Sequence, residues 1–137
     1  MGLKKAGSEG GSSSEWRISA LVVDDNATIR FLHKTILKGL CNMEPKIAKD
    51  GKEAVDMCRS GENFDIILMD KQMPIMNGVE ATRKLREMGV KSKIVGVTIL
   101  DNESEKEEFL AAGLDLYLEK PLNPTMLRDV LKELQLI

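Results

Sequence analysis

Short apolar runs alternate with longer amphipathic segments along the chain from residue 17 to its end. An apolar run bounded by polar or turn-forming residues is typical of a strand that is covered on both faces of a sheet. The runs that predict such strands are Ile18–Val23, Pro45–Ala48, Phe64–Met69, Ile94–Thr98 and Leu116–Leu118. The third run is the clearest of them and leads directly into Asp70.

In the segments between and after these strands, apolar residues recur at intervals of three and four, which places them on one face of a helix. The first predicted helix has its apolar face at Ile29, Leu32, Ile36, Leu37 and Leu40. The other helices are predicted at Gly51–Ser60, Val79–Met88, Ser104–Ala112 and from Pro124 onward. This alternation predicts an α/β fold, a doubly wound five-stranded parallel sheet with right-handed crossovers and five helices on its two faces. The expected strand order is the flavodoxin-like 2-1-3-4-5.

Composition and charge narrow the functional classes. The chain has 137 residues, of which 42% are hydrophobic, and its 20 Lys and Arg against 22 Asp and Glu give a net charge of −2. This balance argues against a nucleic-acid binder, which would present a strongly basic surface. No apolar run reaches the roughly 18 residues of a membrane span. Cys41 and Cys58 have no metal-site spacing and fit a reduced protein of the cytoplasm or nucleus.

Two regions are expected along the chain. Residues 1–15 are rich in Gly and Ser and lack apolar periodicity, so they are expected to form a flexible tail, either native or left from an expression vector. Residues 16–137 are expected to form one domain, in keeping with a prior of about one domain per 150 residues. Trp16 is expected to pack on that domain.

Polar side chains with complementary chemistry follow the predicted strands. Asp24 and Asp25 come after the first strand and Asp70 after the third. Thr98 ends the fourth strand, and Lys120 follows the fifth. The carboxyl ends of parallel strands meet at one edge of a sheet, where doubly wound folds bind their ligands. These five side chains are therefore expected to converge on one site.

Each of these residues also has a structural interpretation when it is taken alone. An aspartate after a strand is often the N-cap of the next helix, Thr98 suits a strand because it is β-branched, and Lys120 suits a solvated turn. Taken together, three carboxylates raise one another's pKa values unless a cation neutralises them, and oxygen ligands without His or Cys favour Mg²⁺. A metal, a hydroxyl and an ammonium group around a carboxylate suit phosphoryl transfer, for which Asp70 is the expected acceptor.

Four motifs, in order along the chain, resemble those of the receiver domain of two-component response regulators. They are Val22-Val23-Asp24-Asp25-Asn26, Leu68-Met69-Asp70-Lys71-Gln72-Met73-Pro74-Ile75-Met76-Asn77-Gly78, Gly96-Val97-Thr98 and Tyr117-Leu118-Glu119-Lys120-Pro121. The resemblance extends over residues 17–136. The segment from Met73 to Thr82 is most similar to plant receivers of the cytokinin-type multistep phosphorelay.

The resemblance implies a role for each site residue. Asp70 would take a phosphoryl group from a phosphohistidine. Mg²⁺ would be held by a set of oxygen ligands, namely Asp24, Asp25, Asp70 and the backbone carbonyl of Gln72. Lys120 would pair with the phosphoryl group, and its peptide bond to Pro121 would be cis. Thr98 and Tyr117 would form a switch, in which Thr98 moves toward a phosphoryl oxygen as Tyr117 turns inward.

The resemblance also implies partners. Only one helix is predicted after Lys120, so the chain is most like the stand-alone plant regulators of type C. A histidine-containing phosphotransfer protein would supply the phosphoryl group, with an upstream histidine kinase acting indirectly, and would dock near Ala27, Ile29 and Arg30. A monomer without nucleic-acid or membrane partners is expected. Three alternatives stay open, namely a phosphohistidine phosphatase, a receiver excised from a hybrid histidine kinase, and a binding-only module.

A few positions depart from the pattern of the family or need separate interpretation. Ile99 stands where a small residue usually lines access to the acceptor, and Leu100 cannot orient a hydrolytic water. Both predict slow reaction with small phosphodonors and slow self-dephosphorylation. Gln72 stands where aspartyl-phosphate hydrolases carry a second aspartate, which argues against hydrolysis of small phosphate esters. The only histidine, His33, is expected at the surface or at the edge of the core.

Overall fold

The computed structural model describes residues 17–99 and 102–137. The predicted tail at residues 1–15 and the predicted packing of Trp16 lie outside these ranges. The strands are β1 Ala20–Val23, β2 Lys46–Ala48, β3 Ile66–Asp70, β4 Lys93–Thr98 and β5 Leu116–Glu119. The helices are α1 Ala27–Leu40, α2 Gly51–Arg59, α3 Gly78–Glu87, α4 Glu103–Ala111 and α5 Pro124–Glu133. Strands and helices therefore alternate as predicted.

The strands form one parallel sheet with the order β2-β1-β3-β4-β5, which confirms the predicted fold. At its centre β1 and β3 lie side by side, with Val23 in register with Met69. The residues that follow these two strands therefore leave the sheet at the same edge. The strand order reverses between β1 and β3, and this reversal is where doubly wound folds bind ligands.

The sheet separates two apolar layers. Along β3, Ile66 and Leu68 pack with α1 and α5, whereas Ile67 and Met69 pack with α2, α3 and α4. All four side chains are buried, as expected for a central strand that is covered on both faces. None of the described helices is long and apolar enough to cross a membrane.

A polar N-cap precedes every helix in the described parts of the chain. In each case an Asn or Asp side chain accepts a hydrogen bond from the backbone N–H three residues later. The caps are Asn26, Asp50, Asn77, Asn102 and Asn123. Because Asn26 caps α1, the capping role that was the alternative for Asp24 and Asp25 is wrong.

The hydroxyl of Thr82 on α3 is buried without a hydrogen-bond partner among the described residues. Burying a hydroxyl in this way costs roughly 1–3 kcal/mol. We therefore expect Thr82→Val, which exchanges the hydroxyl for a methyl group, to raise the free energy of unfolding by about 1 kcal/mol in urea denaturation. Thr125→Val, at an exposed position of α5, is the matched control and should change little. A loss of stability in Thr82→Val would mean that the hydroxyl is hydrogen-bonded in solution.

His33 is buried in α1, so its expected position at the surface or at the edge of the core is wrong. Its side chain is 1% exposed, and its Nε2 accepts a hydrogen bond from the backbone N–H of Leu122 at 3.3 Å. Burial lowers the pKa of His33 below its ordinary value, the negative charge of Asp24 opposes this shift, and the positive charge of Lys120 adds to it. His33 is therefore a neutral core residue that fixes the start of α5 against α1.

The lowered pKa of His33 predicts that acid destabilises the fold. The unfolded chain binds a proton on His33 below about pH 6.5, whereas the folded protein does so only at lower pH. The stability that His33 contributes is therefore complete above that pH and decreases as the pH falls below it, by at most about 1.4 kcal/mol per pH unit. Urea denaturation across this range measures the slope. His33→Gln keeps a hydrogen-bond acceptor and does not titrate, so its free energy of unfolding should fall less steeply with decreasing pH than that of the wild type. Equal dependence on pH in the two proteins would contradict the prediction.

Candidate functional site

The cleft at the carboxyl edge of the sheet collects the predicted strand-end residues. Asp24 follows β1, Asp70 ends β3, Thr98 ends β4, and Lys120 follows β5. These strands are consecutive in the sheet, so their ends are neighbours. The cleft has a volume of about 560 Å³ and is lined by Asp25, Asn26, Asp70, Gln72, Thr98, Ile99 and Lys120.

Lys120 joins two buried carboxylates. Its Nζ lies 3.0 Å from Oδ2 of Asp24 and 3.0 Å from Oδ1 of Asp70. The Lys120 side chain is 12% exposed, and the side chains of Asp24 and Asp70 are 3% and 5% exposed. One ammonium group therefore neutralises two carboxylates incompletely, and the charge of Asp25 makes the cleft still more negative.

Burial of these charges shifts their pKa values. Burial raises the pKa of Asp70 to about 6, and the charge of Asp24 adds to this increase, while the hydrogen bonds from Lys120 and from the backbone N–H of Lys71 oppose it. Burial alone would lower the pKa of Lys120, but its hydrogen bonds to Asp24 and Asp70 raise it above the ordinary value of lysine. Lys120 is therefore a permanent cation beside the Asp70 carboxyl group at neutral pH.

The donor set fits a divalent cation that prefers oxygen. One carboxylate oxygen from each of Asp24, Asp25 and Asp70 lies within 4.8 Å of the others. Mg²⁺ selects hard oxygen ligands of this kind and often uses only a few protein carboxylates. The negative charge that Lys120 leaves uncompensated is a second reason for a cation to bind here. Gln72, the fourth predicted ligand, lines the same cleft.

Backbone hydrogen bonds orient both buried aspartates. The N–H of Asp24 donates to the carbonyl oxygen of Ala48 at the end of β2, at 3.1 Å, and Oδ1 of Asp24 accepts from the N–H of Asn26 at 2.9 Å. Oδ1 of Asp70 accepts from the N–H of Lys71 at 2.9 Å. Each carboxylate therefore has a defined orientation that the backbone itself imposes.

The loop after β3 returns tightly to the end of its own strand. The N–H of Gly78 donates to the carbonyl oxygen of Lys71 at 2.7 Å, and a Cβ atom at position 78 would overlap the carbonyl oxygen of Asp70. Only glycine permits this approach. The sequence identified Gly78 only as the last residue of the motif that begins at Leu68, because the contact with Asp70 depends on how the loop folds back. The sequence also did not indicate that Lys71, the residue after the acceptor, is buried with only 8% of its surface exposed.

The two predicted switch residues lie in different surroundings. Thr98 is buried and lines the cleft. Tyr117 lies outside the lining of the cleft, on β5, in register with Gly96. Its half-buried ring packs edge-to-face on Phe109 with 6.2 Å between the ring centroids, and the Nζ of Lys106 lies 5.3 Å from the Tyr117 centroid. The coupling of Thr98 to Tyr117 therefore stays a prediction.

The predicted partner surface occupies the first turn of α1, directly after the cleft residue Asn26. Ala27 is exposed, whereas Ile29 and Arg30 are half-buried. Arg30 also points back to the site, since its Nη1 lies 2.6 Å from the carbonyl oxygen of Asp24. Ala27 is therefore accessible to a partner, whereas the guanidinium group of Arg30 is already engaged in a hydrogen bond within the domain.

Two further predictions concern the rim of the cleft. The peptide bond between Lys120 and Pro121 is cis, as predicted. Ile99 lines the cleft and is 68% exposed, so a large apolar side chain stands beside the acceptor. Leu100 lies outside the described residues. The slow reaction with small phosphodonors therefore stays a prediction that rests on Ile99.

Comparison with known proteins assigns this geometry to a family. Residues 20–132, which are most of the chain, match the response regulator receiver domain. The chain belongs to the response regulator receiver domain family. This receiver domain therefore serves two-component signalling, as the four motifs predicted.

This receiver domain is similar to plant response regulators, as predicted. It is 49% identical over 121 residues to two-component response regulator 24 and 47% identical over 119 residues to two-component response regulator ARR22, both of Arabidopsis thaliana. These matches cover 88% and 85% of this chain and 86% and 83% of the two relatives. Hybrid signal transduction histidine kinase I of Dictyostelium discoideum is 41% identical over 81% of this chain, which is 7% of the kinase.

Solved structures confirm the flavodoxin-like fold of the receiver domain. Chemotaxis protein CheY4 of Vibrio cholerae is 30% identical with a TM-score of 0.78, over 86% of this chain and 98% of that chain. Full-length ShkA in complex with AMPPNP is 33% identical with a TM-score of 0.78, over 90% of this chain and 25% of that chain. The same fold therefore occurs both as a separate protein and within a longer chain.

Proposed function

We propose that Asp70 accepts a phosphoryl group from the phosphohistidine of a histidine-containing phosphotransfer protein, in a reaction that depends on Mg²⁺. The observation that carries this proposal is the position of Lys120, whose Nζ lies 3.0 Å from both Asp24 and Asp70. A carboxylate next to a buried ammonium group and two further carboxylates has the surroundings that phosphoryl transfer to a carboxylate requires.

The transfer exchanges a P–N bond for a P–O bond. The hydrogen bonds from Lys71 and Lys120 both fall on Oδ1 of Asp70. We therefore assign the attack on phosphorus to Oδ2. The Oδ2–P bond forms as the P–N bond to the partner's imidazole breaks, and the ring takes the electron pair of that bond. With a proton on its other nitrogen, the ring leaves as neutral imidazole. Asp70 reacts as the carboxylate, so no proton has to be removed from it.

Neighbouring groups stabilise the charge of the transferred phosphoryl group. Lys120 neutralises one of its oxygens, and the hydroxyl of Thr98 binds another. When bound, Mg²⁺ would supply further positive charge, and the residues that would hold it are Asp24, Asp25, Asp70 and Gln72 through its backbone carbonyl. Movement of Thr98 toward the phosphoryl group, together with Tyr117, would shift the domain toward its signalling state.

The partner would dock on the first turn of α1, at Ala27, Ile29 and Arg30. This surface begins one residue after Asn26, which lines the cleft, so a docked phosphohistidine would lie near Asp70. The plant relatives are named two-component response regulators. We propose a relay of the cytokinin type as the setting, with an upstream histidine kinase and with the receiver acting as a monomer in the cytoplasm or nucleus.

Intact-mass spectrometry after incubation with the phosphorylated phosphotransfer protein and Mg²⁺ tests the proposal. We expect the wild-type protein to gain the mass of one phosphoryl group, and we expect no gain in Asp70→Asn or when EDTA replaces Mg²⁺. Asp129→Asn, at an exposed position of α5, is the matched control and should be phosphorylated like the wild type.

Two outcomes of this experiment would contradict the proposal. If the wild-type protein gains no mass while the partner keeps its phosphate, the domain is a binding-only module. If the partner loses its phosphate to water and no adduct lasts, the domain acts as a phosphohistidine phosphatase.

A further inference from the structure

The guanidinium group of Arg30 contacts the backbone of a proposed metal ligand. Arg30 lies in the first turn of α1, is half-buried, and donates a hydrogen bond from Nη1 to the carbonyl oxygen of Asp24 at 2.6 Å. Hydrogen bonds from a charged donor are shorter and stronger than those between neutral groups. The side chain of Arg30 therefore ties α1 back to the end of β1.

This bond completes the hydrogen bonding of Asp24. The N–H of Asp24 donates to Ala48, its Oδ1 accepts from Asn26, and its Oδ2 accepts from Lys120. With Arg30 on the carbonyl oxygen, every polar group of Asp24 has a partner. Asp24 is 2% exposed, so without Arg30 its carbonyl group would be buried and would lack this partner.

The carbonyl oxygen that Arg30 holds belongs to the peptide unit between Asp24 and Asp25. Because a peptide unit is planar, fixing its oxygen restricts the Cα positions of both residues. These two residues carry two of the three carboxylates whose oxygens lie within 4.8 Å of one another. Mg²⁺ demands near-ideal octahedral geometry, so its affinity depends on how closely these carboxylates keep their places.

We propose that Arg30 is a positioning residue for the Mg²⁺ site and acts through the peptide unit between Asp24 and Asp25. The inference rests on the proposed function, because it concerns the cation that the reaction at Asp70 requires. Hydrogen-bond partners that orient metal ligands change metal affinity by about 10–100-fold when they are removed. We expect an effect at the lower end of this range, because Arg30 holds the backbone of a ligand and not its carboxylate.

The charge of Arg30 makes the direction of the effect informative. A guanidinium group close to the cleft repels a divalent cation. If Arg30 acted only through its charge, its removal would therefore increase the affinity for Mg²⁺. If it acts by holding the peptide unit, its removal decreases that affinity. The two explanations thus predict changes in opposite directions.

Isothermal titration of Mg²⁺ into the unphosphorylated protein tests the inference. Arg30→Met keeps most of the apolar stem and removes both the charge and the hydrogen bond. Arg30→Lys keeps a charged donor. Lys34→Met removes one positive charge from the next turn of α1, where Lys34 pairs with Glu44 at 3.1 Å, and is the matched control.

We expect Arg30→Met to bind Mg²⁺ about tenfold more weakly than the wild type. Arg30→Lys should recover part of this loss, and Lys34→Met should bind like the wild type. Unchanged or tighter binding by Arg30→Met would overturn the inference. So would a lower thermal stability in EDTA with unchanged Mg²⁺ affinity, since that result shows a structural role only. If Arg30→Met does not fold, Arg30→Leu replaces it, because it also removes both the charge and the hydrogen-bond donor, and the same two results decide the inference.

A wild-type protein that binds no Mg²⁺ would contradict the metal part of the proposed function and the inference with it. A wild-type protein that binds Mg²⁺ and is not phosphorylated by the partner would contradict only the transfer reaction. Failure of the inference and failure of the proposed function are therefore distinguishable.

Discussion

Replacement of Lys120 by methionine is expected to slow phosphoryl transfer onto Asp70 by about 10²–10³-fold. The Nζ of Lys120 lies 3.0 Å from Oδ1 of Asp70, and the side chain is 12% exposed. Its charge therefore acts where little water screens it, on the negative charge that the transferred group brings into the cleft. Without the ammonium group, Asp24 and Asp70 would repel that charge.

A rapid-quench measurement of transfer from the phosphorylated partner, at saturating Mg²⁺, gives the rate for each variant. Lys120→Arg should restore little activity, because a planar guanidinium group does not replace a compact ammonium group between Asp24 and Asp70. Lys132→Met, at an exposed position of α5, is the matched control for loss of one charge. Thermal unfolding in Mg²⁺ separates a loss of transfer from a loss of fold. A folded Lys120→Met protein with the wild-type rate would contradict the proposed role of Lys120.

The strand order was predictable because few arrangements satisfy five alternating strands and helices with right-handed crossovers. The strand boundaries were less predictable. Ile18 and Phe64 belong to the apolar runs and are buried, yet β1 begins at Ala20 and β3 at Ile66. An apolar run reports burial, whereas a strand boundary depends on which residues pair with the neighbouring strand.

The place of the site was predictable from strand ends, but the burial and the hydrogen bonds of its residues were not. Asp24 and Asp25 are adjacent in the sequence, and nothing local indicates that Asp24 is buried while Asp25 is exposed. Only the fold brings Asp24 next to Lys120, which is 96 residues further along the chain. The hydrogen bond from Arg30 to the carbonyl oxygen of Asp24 likewise depends on how α1 folds back on the end of β1, which the sequence does not indicate.

The burial of His33 could have been predicted from its spacing in α1. The polarity of histidine instead led to the expectation of a position at the surface or at the edge of the core. His33 lies four residues after Ile29 and four before Leu37, which places it on the inner face of α1. Leu32, which was assigned to that face, is 38% exposed. Helical spacing is therefore the better guide at this position than the polarity of one residue.

Gly78→Ala is expected to lower the free energy of unfolding by about 3 kcal/mol, at the upper end of the usual cost of overpacking. A Cβ atom at position 78 would overlap the carbonyl oxygen of Asp70 and lie 3.0 Å from the Cα atom of Lys71. Both atoms belong to the backbone at the end of β3, so they cannot move aside as a flexible side chain would. Relief of the overlap has to displace α3 or Asp70 itself.

Urea denaturation measures the loss of stability, and Gly39→Ala provides a control of opposite sign. Gly39 lies in α1, and a Cβ atom added there would have no neighbouring atom within 4 Å outside its own helix, so alanine should stabilise the helix by roughly 0.5–1 kcal/mol. In the folded fraction of Gly78→Ala, a displaced Asp70 should also weaken Mg²⁺ binding, whereas Gly39→Ala should bind like the wild type. If Gly78→Ala were as stable as the wild type, the loop would be free to withdraw from β3, and the position of Asp70 would not depend on its contact with Gly78.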